Sequence, residues 1–360
     1  MKNTKFHFLT ENPIFFERNR VYRITMGGKL FHDFFGDEPV DSNFPEEWIA
    51  SDVKASLNKS FDEYDGISKI KGTNIYFNEL LQAEPDRMTG GRKELGVLVK
   101  ALDSSMRLPV QVHPDRLFSK KYLSSNFGKV EAWLILATRG NAEINFGFKE
   151  KIDSKMFTEA IRKNETDKNA LADIMHKIPV KPGDVFLIPA GYAHAIGAGI
   201  LLVEFQEPTD FTISPEFWCG NNHIPENMKY LGLDRDLALS CFDYSAYGKQ
   251  AEMRGRILPQ KLAATDQYSS ECLISFRDTP CFCVNRHKIF KFFSLPHAPA
   301  VILVTEGSGM LITENSGKTQ EQPLHRGDYF FLPYALAGAS SIAAGKNTVE
   351  IIECLPPGNI

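Results

Sequence analysis

A short pattern of turn and strand residues occurs twice in the chain. The first copy spans residues 181–189 (KPGDVFLIP) and the second spans residues 325–333 (HRGDYFFLP). In each, a basic residue lies within two positions of a Gly-Asp pair, and four aliphatic or aromatic residues then lead to a proline. A tight turn that enters a buried strand accounts for every position, because glycine adopts positive φ, aspartate caps the turn and proline ends the strand. The repeat predicts two jelly-roll barrels in tandem.

The segments around both copies favour strands over helices. Residues 95–102 (LGVLVKAL) form an apolar run rich in Val and Leu that is typical of a buried strand, and several short strand-like segments follow. Residues 154–177 differ, because their apolar positions recur with the period of a helix. We therefore predict a mainly β protein with a first domain over 1–265, a helical insertion around 151–178 and a second domain over 266–360.

Composition excludes several classes of protein. The 360 residues include 41 Lys+Arg and 45 Asp+Glu, a net charge of -4 that argues against nucleic-acid binding, which needs a basic excess. None of the six cysteines forms a C-x-x-C pair, so zinc-knuckle and thioredoxin motifs are absent from the sequence. Charged residues interrupt the N-terminus, and no run approaches the roughly 20 apolar residues of a membrane span. We expect a cytoplasmic protein that binds neither nucleic acid nor membrane.

Three motifs between residues 108 and 197 point to a family. They are LPVQVHPD at 108–115, GKVEAW at 128–133 and IPAGYAHAIG at 188–197. In this order they resemble the class I mannose-6-phosphate isomerases of the cupin superfamily, and Gly27-Gly28 and Trp48 fall where that family has a glycine pair and a tryptophan. The resemblance covers most of the chain and is strongest from 95 to 212. It implies tandem cupin barrels.

The alternation of a strand places several polar residues of these motifs on common faces. Residues two apart share a face, which groups Gln111 with His113, Lys129 with Glu131, and Glu204 with Gln206. Buried polar groups need a partner or a metal ion, so such faces are candidate sites. The resemblance assigns four metal ligands, Gln111, His113, Glu131 and His194. Such a set suits one Zn²⁺ per chain, although Mn²⁺, Fe²⁺ or Co²⁺ would also fit.

The resemblance also implies a reaction, the isomerisation of an aldose to a ketose through an enediol, as between mannose 6-phosphate and fructose 6-phosphate. The partner would be a small-molecule sugar or sugar phosphate, whose carbonyl a metal ion polarises. Lys129 is the candidate cation for the enediolate charge, Glu204 or Asp210 would relay protons, and Lys100 is a candidate substrate contact. The sequence leaves the general base and the oligomeric state open.

One position departs from the family. Ser214 stands where the family has a catalytic arginine, and a serine offers one neutral hydroxyl in place of a charged fork of donors. Three interpretations follow: an isomerase in which Arg107, Arg116 or Lys120 replaces the arginine, a metal-bearing cupin that binds a sugar or sugar phosphate without isomerising it, or a cupin enzyme of another class such as an iron dioxygenase. The second barrel has no histidine after Pro333, so we predict no metal ligands there.

Overall fold

The structure, a computed structural model, describes residues 4–55 and 63–358. It is mainly β, with 36% strand and 18% helix. The strands in chain order are β1 Ile14–Phe15, β2 Arg20–Val21, β3 Glu46–Ile49, β4 Leu98–Ser104, β5 Glu131–Thr138, β6 Glu143–Phe148, β7 Met175–Pro179, β8 Val185–Ile188, β9 His194–Ile196, β10 Ile200–Gln206, β11 Trp218–Cys219, β12 Asn222–His223, β13 Arg256–Ile257, β14 Gln260–Ala264, β15 Tyr268–Ile274, β16 Cys283–Ile289, β17 Phe292–Leu295, β18 Ala300–Glu306, β19 Ser308–Asn315, β20 Lys318–His325, β21 Tyr329–Leu332, β22 Ser340–Ala344 and β23 Val349–Leu355.

The helices are shorter and lie mostly between the strands of the first half. They are α1 Thr4–Leu9, α2 Phe31–Phe35, α3 Phe77–Ala83, α4 Pro85–Thr89, α5 Arg116–Tyr122, α6 Ser154–Asn164, α7 Arg235–Leu239 and α8 Gly248–Gly255, with single 3₁₀ turns at Ala172–Ile174, Glu226–Met228 and Tyr334–Leu336. Among the described residues, none of these helices has the length and apolar character needed to cross a bilayer.

Each half of the chain forms a pair of antiparallel sheets. The first half has a seven-stranded sheet in the order β13-β8-β5-β10-β4-β3-β2 and a smaller sheet β7-β6-β9. The second half has a seven-stranded sheet in the order β1-β21-β18-β23-β16-β15-β14 and a four-stranded sheet β17-β22-β19-β20. This architecture confirms the predicted mainly β fold of tandem cupin barrels with a helical insertion in the first.

The repeated turn occupies equivalent places in the two barrels. Strands β8 and β21, which follow the two turns, each lie second from one edge of a seven-stranded sheet. Gly183 and Gly327 have φ of 91° and 86°. The Asp184 carboxylate accepts the Lys181 backbone N–H at 3.1 Å, and the corresponding aspartate of the second copy does the same at 2.8 Å. The turn therefore has the geometry that its sequence predicts.

The two seven-stranded sheets share one apolar core. Val99, Ala132 and Val203 from the first sheet belong to the same buried cluster as Val301 and Phe331 from the second. Sheet membership also crosses the predicted domain boundary, because β1 and β14, which both precede residue 265, pair within the second seven-stranded sheet. The predicted division between residues 265 and 266 remains a prediction.

The helical insertion is one helix followed by a short 3₁₀ turn. Helix α6 begins after Asp153, whose side chain accepts the Met156 backbone N–H, and it buries Phe157 and Ile161. Burial of one apolar stripe is what holds such a short helix in place. The prediction of helix up to residue 177 extends too far, because strand β7 begins at Met175 and pairs with β6.

Candidate metal centre

The three motifs converge at one end of the first barrel. Glu131 begins strand β5, and His194 begins strand β9. Two backbone hydrogen bonds of 2.9 Å join Gln111 to His194 and fix the two segments against each other. The ligand atoms of His113, Glu131 and His194 all lie within 4.8 Å of one another, and all three side chains are buried. Within the described part of the chain this is the single group of three such side chains so placed.

Hydrogen bonds orient both imidazoles of this cluster. His113 Nδ1 lies 2.8 Å from the Phe211 carbonyl oxygen, and His194 Nδ1 lies 2.8 Å from that of Tyr192. Because a carbonyl only accepts, each Nδ1 donates, and each Nε2 is left with its lone pair. The Nε2 atoms lie 3.2 and 3.3 Å from the Glu131 carboxylate. Backbone partners of this kind are typical of metal-ligating histidines.

The charges around the cluster favour the protonation states that a metal ion requires. Burial, and secondly the Lys129 ammonium, lower the pKa of His113 to about 3, so its imidazole is neutral. Burial alone would raise the pKa of Glu131, but the Lys129 ammonium brings it well below its usual range. Glu131 Oε1 is buried without a hydrogen-bond partner among the described residues. The neutral His113 imidazole, the His194 imidazole and an unsatisfied carboxylate oxygen together fit a divalent cation.

Two further predicted residues contact the cluster. The Gln111 side-chain nitrogen lies 3.3 Å from His194 Nε2, so this amide lies beside the candidate ligand atoms of the histidines and Glu131. Lys129 Nζ lies 2.8 Å from His113 Nε2 and also contacts Glu131. The structure thus brings together all four predicted ligands and Lys129, and their roles remain predictions.

Strand pairing extends this set to Glu204 and Lys100. Strand β10 lies between β4 and β5, so that Glu204 is directly opposite Lys100 on one side and Trp133 on the other. Lys100 Nζ lies 3.0 Å from Glu204 Oε1, and Trp133 Nε1 donates to Glu204 at 3.2 Å. Burial and the nearby Glu131 charge raise the pKa of Glu204. Burial lowers the pKa of Lys100, but Glu204 and Glu46 outweigh it and raise the net value.

Arg23 is a residue of this region that the sequence analysis missed. Its guanidinium is buried between the carboxylates of Glu46 and Asp210, with nitrogen–oxygen distances of 3.0 to 3.2 Å. Although burial opposes the charge, Arg23 and Lys100 lower the pKa of Glu46 to about 2. No motif contains Arg23, and the nearest signal in the sequence is the alternation of Glu46 with Trp48, whose Nε1 donates to Glu46 at 2.8 Å.

The cluster of His113, Glu131 and His194 adjoins a cleft. Gln111 and Lys129 line it together with Arg23, Asp210 and Ser214. The hydroxyl of Ser214 points into the barrel wall, where it donates to the Val110 carbonyl oxygen at 2.8 Å.

The three cations suggested to replace the family arginine do not line this cleft. Arg107 forms two 2.9 Å hydrogen bonds to Glu216, Arg116 pairs with Glu207, and Lys120 is exposed on α5. Arg23 is the only arginine among the described residues that line this cleft.

The second barrel has a polar cluster of a different kind. Glu353 is buried and lies 3.3 Å from His287 Nε2 and 3.2 Å from His297 Nδ1, and it accepts a hydrogen bond from Asn285. Burial alone would raise the pKa of Glu353, but hydrogen bonds from His287 and His297 outweigh it and lower the pKa to about 2. The prediction that this barrel carries no metal ligands stays a prediction.

Comparisons with known proteins agree with the motifs. No protein-family model matches the chain. The mannose-6-phosphate isomerase of Streptococcus mutans is 31% identical over 205 residues, which cover 56% of this chain and 59% of that protein. A probable mannose-6-phosphate isomerase of Bacillus subtilis is 36% identical over 218 residues, 57% of this chain and 60% of the relative. The chain thus spans about three fifths of the length of these curated relatives.

Solved structures resemble the chain over almost its whole length. The crystal structure of the mannose 6-phosphate isomerase from Bacillus subtilis matches 95% of this chain and 99% of its own, with a TM-score of 0.71 and 23% identity. A putative mannosephosphate isomerase from Archaeoglobus fulgidus matches with a TM-score of 0.68, 18% identity, and coverage of 96% and 97%. The resemblance seen in the motifs is confirmed: the chain is a homologue of curated mannose-6-phosphate isomerases of class I and has the cupin fold of solved phosphomannose isomerases.

Proposed function

We propose that the protein is a metal-dependent aldose–ketose isomerase whose active site is the cleft beside His113, Glu131 and His194. The observation that carries this proposal is the convergence of two oriented imidazoles and a buried carboxylate next to a cleft lined by paired charges. The names of the curated relatives support the reaction class. The expected partner is a small-molecule sugar or sugar phosphate, and the expected location is the cytoplasm.

Gln111, His113, Glu131 and His194 would hold the ion, which we propose is Zn²⁺, with Mn²⁺, Fe²⁺ or Co²⁺ as alternatives for the same donors. When bound, the ion supplies a Lewis acid that polarises the sugar carbonyl and eases proton loss at the adjacent carbon. The chain supplies the remaining functions, which are to orient the sugar, to move the proton and to hold negative charge.

Glu204 is our candidate for moving the proton. It lines the cleft, and burial beside Glu131 raises its pKa, which brings a carboxyl closer to the range in which it both accepts and returns a proton near neutral pH. Lys100 and Lys129 lie 3.0 and 3.6 Å from its Oε1 atom, so two ammonium groups border the place where enediolate charge develops. Asp210 lines the same cleft beside Arg23, and its role in proton relay remains a prediction.

The test is isomerisation in D₂O by the metal-loaded protein, with mannose and mannose 6-phosphate supplied separately and the ketose detected by NMR. We expect ketose to form from at least one sugar and deuterium to enter at the exchanged carbon. His113→Ala should abolish both signals, whereas His325→Ala, at a histidine that is 71% exposed, should change neither. Glu204→Gln should slow isomerisation by on the order of 10²-fold or more while metal content is retained.

One observation favours a second candidate, a cupin that binds a sugar without isomerising it. Ser214 carries no charge, and its hydroxyl already donates a hydrogen bond to the Val110 carbonyl oxygen. Binding of a sugar without any ketose formation by the metal-loaded wild-type protein would establish this second function.

A further inference from the structure

The charges that line the cleft cancel. Its cations are Arg23, Lys100 and Lys129, and its carboxylates are Glu46, Glu204 and Asp210, which gives three positive and three negative side chains among the described lining residues. A site for an anionic ligand would instead present an excess of cations. The identity of the ligand therefore depends on whether any of the three cations is available.

Arg23 is bound on both sides. Its Nε and Nη2 atoms donate to the two Glu46 oxygens at 3.0 and 3.1 Å, and its Nη1 and Nη2 atoms donate to Asp210 at 3.2 and 3.0 Å. Four of its five N–H donors are thus used by two buried carboxylates. A phosphate group would have to separate Arg23 from one of these carboxylates and leave that carboxylate buried without its partner, which is costly.

The two lysines are also paired. Lys100 Nζ lies 3.0 Å from Glu204 and 3.7 Å from Glu46. Lys129 lies between His113 and Glu131, and 3.6 Å from Glu204. Each ammonium is buried and faces at least one buried carboxylate, so neither is a surplus charge.

Two cations next to lining residues in the sequence, Arg107 and Lys229, are engaged elsewhere. Arg107 holds Glu216 with two hydrogen bonds of 2.9 Å. Lys229 is buried, lies 3.1 Å from Glu226 and has its ammonium 3.4 Å from the centre of the Phe217 ring. A phosphomonoester carries about -1.5 to -2 charges at neutral pH, and apart from the proposed metal ion the described lining of this cleft offers no unpaired cation to offset them.

A neutral sugar suits the same surface. Its hydroxyls both donate and accept, so they can bond to the outer atoms of existing ion pairs without separating them. Leu102, Leu108, Ile196 and Ile224 add apolar lining against which the C–H groups of a sugar ring can pack. We propose that the substrate class is a neutral, unphosphorylated aldose and its ketose. This inference rests on the proposed function and narrows it.

The experiment compares D-mannose with mannose 6-phosphate on the metal-loaded wild-type protein, by kcat/KM for isomerisation and by calorimetric affinity. We expect both quantities to favour mannose by about tenfold or more, since a bidentate charged partner for the phosphate is absent. Equal values, or a preference for mannose 6-phosphate, would overturn the inference. If neither sugar is isomerised, the proposed function is wrong. In that case the two measured affinities alone test whether the cleft prefers the unphosphorylated sugar. Binding of neither sugar would overturn the inference as well.

A variant tests the charge argument directly. Ser214→Arg adds a guanidinium at the cleft wall, and Ser214→Met adds similar bulk without charge. We expect the arginine variant to shift the ratio of the two affinities toward mannose 6-phosphate by about tenfold relative to the methionine variant. An unchanged ratio in two folded variants would contradict the electrostatic cause. If either variant does not fold, the wild-type comparison decides.

Discussion

Replacement of Arg23 by methionine removes the cation from a buried triad and leaves its carboxylates in place. Arg23 is 7% exposed, Glu46 5% and Asp210 5%. Breaking a buried ion pair by removal of one partner costs about 3–5 kcal/mol, because a buried charge is left without compensation. Methionine retains most of the apolar contact of the arginine stem. We therefore expect Arg23→Met to lower the free energy of unfolding by about 3–5 kcal/mol at pH 7.

The pH dependence of this loss follows from Glu46. In the wild type the pKa of Glu46 is lowered to about 2, so its contribution to stability is present above pH 4.5 and is lost as pH falls toward 2. Without Arg23, burial favours the protonated carboxyl. Stability of the variant then declines as pH rises through the new, higher pKa. The difference between the two proteins should be largest at pH 7 and smaller at pH 4.

Urea unfolding followed by tryptophan fluorescence measures this difference. The three tryptophans are Trp48, Trp133 and Trp218, so the signal reports on the first barrel and its surroundings. Arg162→Met is the matched control, because its partner Glu159 is an exposed neighbour on α6 and such exposed pairs contribute little to stability. A loss in Arg23→Met no larger than that of the control, or a loss that grows toward pH 4, would contradict a stabilising buried ion pair at Arg23.

Three further predictions concern stability. Burial raises the pKa of Asp52 to about 6, so the folded state loses stability as pH rises from about 4 through 6. Asp52→Asn keeps an acceptor for the Leu95 N–H. It should raise the free energy of unfolding by at most about 3 kcal/mol at pH 7.5, with a higher thermal midpoint, and change neither at pH 3.5. Gly27→Ala would place a Cβ 1.7 Å from the Asp103 carbonyl oxygen and should lower the free energy of unfolding by about 3 kcal/mol or more. In Gly36→Ala the new Cβ meets nothing within 4 Å, so the loss should be about 1 kcal/mol, from the positive φ alone. Equal losses in urea unfolding would contradict this. Chelation should lower the thermal midpoint and zinc should restore it. The gain in the free energy of unfolding should be about 2.7 kcal/mol when free zinc is at a hundred times its Kd. An unchanged midpoint would count against a bound ion.

Much of the fold was predictable because its signals are local. The Gly-Asp turns at Gly183 and Gly327 specify their own backbone conformation, and the strands behind them follow from short apolar runs. Alternation also placed Lys129 and Glu131 on one face, and the structure shows them in contact. These features depend on residues a few positions apart, which is the range over which sequence patterns are informative.

The part that was not predictable depends on long-range contacts. Arg23 meets Asp210, which is 187 positions away, and only the order of the strands within one sheet brings them together. In the second barrel, Glu353 meets His287 across 66 positions in the same way. An ion pair of this kind leaves no periodic signal, because each member lies on a separate strand or loop with its own pattern. The charge balance of the cleft therefore became visible only with the structure.

We propose that one divalent ion, held by Gln111, His113, Glu131 and His194, is required for isomerisation. The most direct test is to strip the protein with a chelator and titrate it with Zn²⁺ while ketose formation is measured. We expect activity to rise with added zinc and to level off at one equivalent per chain, and we expect no activity at any zinc concentration in His194→Ala. Full activity in the stripped protein, or a zinc-dependent rise that persists in His194→Ala, would contradict it.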